Sequence, residues 1–349
     1  MSASRCYLEK AYHAGYDGGS GEGGKLYVQT DVTVVKVLME GKRAVGIEYF
    51  DKGGNAKRVF GDEVVLSAGP VGSPTILQRS GVGDEKFLQE MGIETKHHLR
   101  GVGKNLQDHL EVYVQAKSKL PVGLFPYQWS KPHNMVQVGL EWFVRRTGIC
   151  ASNHLESGAF VKSSPDKEWP DIQFHFLNAA IDDQGSSMKS FGHAFQVHVG
   201  PMRSRSRGEV RISSTDPTKD PLIDPNYMEH ESDFVEFRRS VEIAREVFSQ
   251  PALAPYFDFE AVPGPDVVSD ADIDDFIRDV AESAYHLCGT CKMGSEDDEN
   301  SVVDEFGRVR GVPGLSVVDS SIMPTVVTSN LNCPTMMIAE KMSHGMKLQ

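Results

Sequence analysis

Cys288-Gly289-Thr290-Cys291 has the spacing of a redox-active thiol pair or of half a zinc site, and the imidazole of His286 stands just before it. Redox cycling needs a thioredoxin-like strand and helix around the pair, and zinc needs a second cysteine pair or two closely spaced histidines. The chain offers neither, so buried free thiols in a tight turn are the reading, and no metal is expected. A lone histidine ahead of a glycine turn is, on its own, more often structural than catalytic. Gly19-Ser20-Gly21-Glu22-Gly23-Gly24 satisfies G-x-G-x-x-G, a dinucleotide fingerprint that works only between a strand and a helix N-terminus. Here a polar loop precedes and a strand follows, so it reads as a hairpin or surface loop. Arg203-Ser204-Arg205-Ser206-Arg207 has charge enough to hold a phosphate, but ahead of a strand it reads as a solvated loop or a set of ion-pair donors.

Gly69-Pro70-Val71-Gly72-Ser73-Pro74-Thr75-Ile76-Leu77-Gln78-Arg79-Ser80-Gly81-Val82-Gly83 is different in kind. Glycines let a backbone approach a ligand closely, and Ser73-Pro74 supplies a cap and first-turn proline for a helix with free N–H groups at its start. Val64-Val65-Leu66 precedes it, so a strand, a glycine turn and a helix follow in order, a place where open α/β sheets bind cofactors.

Other elements must hold these residues in place. Strands are expected over Lys25 to Val37 and Ala44 to Phe50, with Asp51-Lys52-Gly53-Gly54-Asn55 as a turn, giving a β-meander. Further strands are expected at Asp171 to Phe176, Ala194 to Val199, Glu209 to Ser213 and Leu315 to Val318. Phe234, Phe237, Val241, Ala244 and Phe248 fall on one helical face, and Ser269 with Asp272 forms a capping box for the next helix. Helices are also expected from Asn134 to Arg146 and from Thr335 to Met342.

The chain has 349 residues, enough for about two domains. Its formal charge of −13 repels phosphate backbones and argues against nucleic acid as a partner. Five cysteines, odd in number and scattered, fit reduced thiols. No apolar stretch is long enough for a transmembrane segment, and none follows Met1 as a secretory signal would require.

Taken as a string, Gly69 to Gly83 resembles the second signature of the glucose-methanol-choline (GMC) oxidoreductases. The resemblance continues in Gly101-Val102-Gly103-Lys104-Asn105-Leu106-Gln107-Asp108-His109, in Tyr285-His286-Leu287-Cys288-Gly289-Thr290-Cys291-Lys292-Met293-Gly294, and in Val317 to Ser321 through Asn330-Leu331-Asn332. Ala151 to Gly158 and Pro170 to Phe176 are closest to the choline-oxidising members. The fold this implies is mixed α/β, an incomplete FAD-binding Rossmann-like domain with an antiparallel-sheet substrate domain. Residues 1–118 and 271–349 would form the first and 119–270 the second.

The resemblance implies FAD as cofactor and choline, oxidised to betaine aldehyde, as substrate. It makes His286 the base and Asn330 its catalytic partner. A neutral imidazole can accept a hydroxyl proton, and an amide N–H can hold the alkoxide. Glu156 is the carboxylate expected near a quaternary ammonium, with Phe174, Phe176 or Trp129 as aromatic faces. His175 either faces the site or packs in its strand. Val34, Ala68, Gly69, Asp319, Ser320 and Asn332 are expected beside FAD. The electron acceptor is left open. Family analogy implies a mitochondrial inner-membrane-associated or a cytoplasmic setting.

The chain also departs from the family's pattern, since no strand–G-x-G-x-x-G–helix unit and no first signature occur in it. The expectation is that the N-terminal FAD-binding segment is missing. The alternatives to choline oxidation are a GMC dehydrogenase for another alcohol and a non-catalytic truncated remnant.

Overall fold

The computed structural model describes residues 2–12, 26–128, 130–155, 157–181 and 192–347. The Gly19 to Gly24 loop, Trp129 and Glu156 lie outside the described residues.

A meander of β1 (Thr33–Glu40), β2 (Arg43–Phe50) and β3 (Ala56–Phe60) opens the fold, each strand antiparallel to the next. The Asp51 carboxylate closes its second turn, accepting from the N–H groups of Gly53 and Asn55 at 2.9 Å each. Strand β4 (Val64–Leu66) follows, then helix α1 (Gly69–Arg79). This helix starts four residues before the Ser73 expected as its cap. The Ser73 hydroxyl instead accepts from Ala68 N–H at 3.1 Å and donates to Asp319 Oδ2 at 2.5 Å. A carboxylate from the far end of the chain therefore does the capping, which no local pattern announces.

The second half of the fold is a six-stranded sheet. Its strands are β5 (Leu110–Ser118), β6 (Ser157–Val161), β7 (Ile172–Leu177), β8 (Ala194–Pro201), β9 (Phe257–Val262) and β10 (Glu282–Ser283). The path runs β9-β5-β8-β7-β6, with β10 pairing alongside β5, all antiparallel. Strand β5 ends at residue 118 and lies inside this sheet.

Period-two alternation gives the sheet two unlike faces. On one, Val112, Val114, Phe174, Phe195, Val197 and Val199 are buried against Phe237, Val241, Ala244 and Phe248 of α3 (Glu231–Phe248) and Ile273 and Ile277 of α4 (Asp270–Val280). Helix α2 (Pro132–Arg145) lies between β5 and β6 in sequence. Ser269 and Asp272 make the expected capping box of α4. On the other face stand Glu111, Tyr113, Gln115, Gln173, His175, Gln196 and His198, with His198 in register with both Tyr113 and His175. Gly200 is required where β8 meets the start of β5, because a Cβ there would lie 2.0 Å from the Leu110 carbonyl oxygen.

Strand β11 (Leu315–Val317) returns to pair in parallel with β4, and α5 (Asn332–Lys347) ends the described chain. Val37, Leu66, Leu77, Val303, Leu315, Val317 and Ile322 bury a second core between these ends. Fold class is therefore mixed α/β, with a dinucleotide-binding-like region built on the β4–β11 pair and a separate antiparallel sheet.

Candidate active site

Chain crossings between the two halves bring His286 and Asn330 together. Asp108, just before β5, fixes the backbone there. Its Oδ1 accepts from the His109 N–H at 2.8 Å and the His286 N–H at 2.9 Å. Its Oδ2 accepts from Tyr227 Oη at 2.6 Å and Ser283 Oγ at 2.5 Å. One buried carboxylate thus ties four groups to the strand start, and each such bond to a charged acceptor contributes more than a neutral one.

His286 is half-buried, and its two ring nitrogens are both engaged. Nδ1 lies 3.1 Å from Nδ1 of His109, and Nε2 lies 3.1 Å from Nδ2 of Asn330. Burial lowers the His286 pKa below that of free imidazole, against the opposing pull of Asp108 and Glu111. Burial, and then the neighbouring His286 ring, push His109 down to about 4. Two neutral imidazoles therefore sit side by side near neutral pH.

The polar sheet face continues from Asn330. Gln173 Nε2 donates to Asn330 Oδ1 at 3.0 Å and lies 2.8 Å from His175 Nε2. Glu111 stands between two histidines, 2.9 Å from His198 Nδ1 and 3.9 Å from His175 Nδ1. Burial raises the Glu111 pKa, but the hydrogen bonds and charge of the two histidines outweigh it and hold the carboxyl well below the usual range. Gln196 Nε2 backs His198 at 2.7 Å, mirroring the Gln173–His175 contact. Tyr285 adopts φ 60°, a left-handed backbone rare for an aromatic residue, and its side chain is 89% exposed beside His286.

The expected residues therefore fall in two groups. His286, Asn330 and His175 share one hydrogen-bonded network. Ala68, Gly69, Asp319 and Ser320 meet at the N-terminus of α1, where Gly69 N–H donates to Asp319 Oδ2 at 2.9 Å and Ser320 Oγ donates to the Leu287 carbonyl at 3.2 Å. Val34 and Ala68 line one open cavity of about 390 Å³ with Ile47, Phe60 and Val64. Asn332 is exposed at the start of α5.

The aromatic assignment needs correction. Phe174 and Phe176 alternate with His175, so their rings point to the opposite face, where Phe176 stacks on Phe195 at 5.8 Å. Cys288 and Cys291 are buried and free, and burial pushes the Cys288 thiol up to about 12. In the basic run, Arg207 donates to the carbonyls of Ser204 and Ser206, and Arg203 to Thr328. No group of three or more metal-binding side chains occurs among the described residues. No helix among them is long and apolar enough to cross a membrane.

Several site residues were not singled out by sequence. Asp108 and His109 close a motif that carries the resemblance but suggests no role by itself. Gln173, Gln196 and His198 had a readable signal, since Gln-Phe-His and Gln-Val-His alternate polar and apolar in two neighbouring strands, whereas Glu111 stands on β5.

The open backbone bend at Gly69 fits a flavin-type cofactor in one respect. A Cβ on Gly69, at φ 77°, would meet nothing within 4 Å, so the turn is open to a ligand. The helix N-terminus itself is taken by Asp319, so it is not free for a phosphate.

Family models described as GMC oxidoreductase match residues 2–111 and 204–339. The first match overturns the expectation of a missing N-terminal segment. That expectation rested on the absent glycine fingerprint and first signature, whereas the meander and the Gly69 to Gly83 turn also fall within the matched N-terminal region. Oxygen-dependent choline dehydrogenase 1 of Chromohalobacter salexigens is 48% identical over 320 residues, covering 91% of this chain and 56% of the relative. Oxygen-dependent choline dehydrogenase of Cronobacter sakazakii is 48% identical over 330 residues, covering 92% of this chain and 57% of that protein. The chain thus spans little more than half the length of these relatives. Among solved structures, pyridoxine 4-oxidase from Mesorbium loti superposes with a TM-score of 0.78 at 28% identity, over 91% of this chain and 57% of the other. An FAD-dependent oxidoreductase from Chaetomium thermophilum superposes at 0.80 with 23% identity, over 92% and 61%, a likeness of fold.

Proposed function

The chain belongs to the GMC oxidoreductase family, and from that membership we propose that it takes part in FAD-dependent oxidation of a primary alcohol, choline to betaine aldehyde. FAD, when bound, supplies the acceptor for the hydride leaving the alcohol carbon. His286 Nε2 takes the hydroxyl proton, and Asn330 Nδ2 holds the oxygen as it gains charge. What carries this reading is the 3.1 Å approach of those two atoms, which lets one hydroxyl oxygen reach both. A neutral imidazole is the form a base needs, and the lowered His286 pKa favours it.

The same reading gives the trimethylammonium group to Glu156, with Tyr285 as an exposed aromatic face and His175 on the polar wall. Val34, Ala68, Gly69, Ser320 and Asn332 would border the cofactor. Asp319 would order the turn that carries Ala68 and Gly69, since both its oxygens are engaged by the protein. Residues 1–118 and 271–349 would serve FAD and 119–270 the substrate, with β5 as the seam. The relatives are named oxygen-dependent, so oxygen is the first electron acceptor to test.

The test is anaerobic mixing of the FAD-loaded chain with choline while flavin absorbance is followed. Bleaching in wild type and none in His286→Ala is the expected result; equal bleaching in the variant overturns the assignment. Glu156→Gln should weaken choline more than an uncharged alcohol of similar size, and equal loss on both would remove choline as the substrate.

A further inference from the structure

We propose that His109 is a positioning residue that keeps the His286 proton on Nδ1, leaving the Nε2 lone pair turned toward Asn330 and the substrate hydroxyl. The proposal rests on the reading of His286 as the base. His109 is fully buried, and its Nε2 lies 3.1 Å from the Met202 carbonyl oxygen. A carbonyl only accepts, so the Met202 contact draws the single proton of neutral His109 to Nε2, while the Val327 carbonyl is a second acceptor near the same ring. Its Nδ1 then has only a lone pair to offer, and the partner at 3.1 Å, His286 Nδ1, must be the donor. The ring centroids are 5.1 Å apart while the Nδ1 atoms are 3.1 Å apart, so the two rings face each other through these edges, with their planes at 82°.

The opposite end of the network favours the same polarity. Glu111 lies 3.9 Å from His175 Nδ1, and its negative charge favours the proton on that nitrogen, which leaves His175 Nε2 as an acceptor. Gln173 Nε2, 2.8 Å from that nitrogen, is therefore the amide NH₂, and its other proton goes to Asn330 Oδ1. Asn330 must then present its own NH₂ to His286 Nε2, which accepts. Two lines of donors thus run outward from one amide, ending on Met202 and on Glu111. Reversing the His286 tautomer would set N–H against N–H at Asn330 and lone pair against lone pair at His109, or at Met202 if His109 turned over with it. Each buried mismatch of that kind is destabilising, because the desolvated group is left without a partner.

The readout is the ¹⁵N chemical shift of the His286 ring in the full-length chain labelled at histidine, which separates the tautomers without a loaded cofactor. His286→Asn assigns the signal. We expect the Nδ1–H form in wild type and in His109→Asn, whose carbonyl keeps an acceptor, and a proton moved to Nε2 in His109→Leu. An Nε2–H form in wild type overturns the proposal, as does an unchanged Nδ1–H form in a well-dispersed His109→Leu spectrum. If His109→Leu does not fold, the wild-type tautomer still decides. In the flavin assay His109→Leu should slow reduction roughly 10- to 1,000-fold with choline affinity retained, and His109→Asn should recover part of it. Undiminished bleaching in His286→Ala would refute the base assignment while leaving the tautomer result standing on its own spectrum.

Discussion

His109 and His286 meet Nδ1 to Nδ1 at 3.1 Å, one ring wholly buried and the other half-open to the site. Neither ring can take a second proton cheaply while the other is near, so their charge states are linked to the fold and to the chemistry at once.

Stability should respond first. His109 titrates at about 4 when folded and near 6.5 when free. Between those values the unfolded chain binds a proton that the native chain refuses. Native stability is therefore full above pH 6.5 and falls as pH drops toward 4, by up to about 3 kcal/mol. Urea unfolding at several pH values should show this slope, and His109→Leu should flatten it. Parallel slopes in the two proteins would exclude His109 as the source.

The rate profile carries the other half. Because burial lowers the His286 pKa, flavin reduction should rise with pH through a midpoint below 6.5 and then level off. Asp108 opposes that lowering, so Asp108→Asn should move the midpoint further down and also reduce the melting temperature by several degrees. Stopped-flow reduction across pH would expose a midpoint at or above 6.5, which the burial argument does not permit.

Gln173 orders Asn330 without touching the base. Gln173→Leu should lower the reduction rate about tenfold, because Asn330 Oδ1 loses its donor and the amide is free to turn. Gln196→Leu removes the mirror contact to His198, away from Asn330, and should cost less. Equal losses would mean that the sheet face acts only as a packed support.

Gly200 separates space from chemistry. A methyl group there collides with the Leu110 backbone oxygen at 2.0 Å, which cannot swing aside, so Gly200→Ala should destabilise by about 1–3 kcal/mol. Gly139 sits in α2 with nothing within 4 Å of its added Cβ, and Gly139→Ala should be neutral or stabilising. Thermal melts of the pair would test this, and similar melting temperatures would contradict it.

Much of the scaffold was readable because its signals are local. The Asp51 turn, the Ser269 capping box and the α3 face of Phe237, Val241, Ala244 and Phe248 each lie within a few residues or a few helical turns. Helix α1 was misplaced at its start because its cap, Asp319, is 250 positions from Gly69 and invisible to any window. The site divides the same way. His286 and Asn330 came from a motif, whereas Asp108 and His109 act through partners far along the chain. Phe174 is one of three aromatic faces offered for the substrate, although the alternation with His175 already sends its ring to the core. The overlooked Glu111 shows the reverse, since its neighbours His175 and His198 come from two other strands.

Asp319 also sets a timetable. The carboxylate that caps α1, and the strand β11 that pairs with β4, are both synthesised long after the segments they complete. On the ribosome the Gly69 turn must wait with an uncapped helix end and an unpaired strand edge exposed, a state open to chaperones and to aggregation. Shape around the β4–β11 pair is therefore acquired last, when the C-terminal stretch swings back, and the antiparallel sheet can be settled before it.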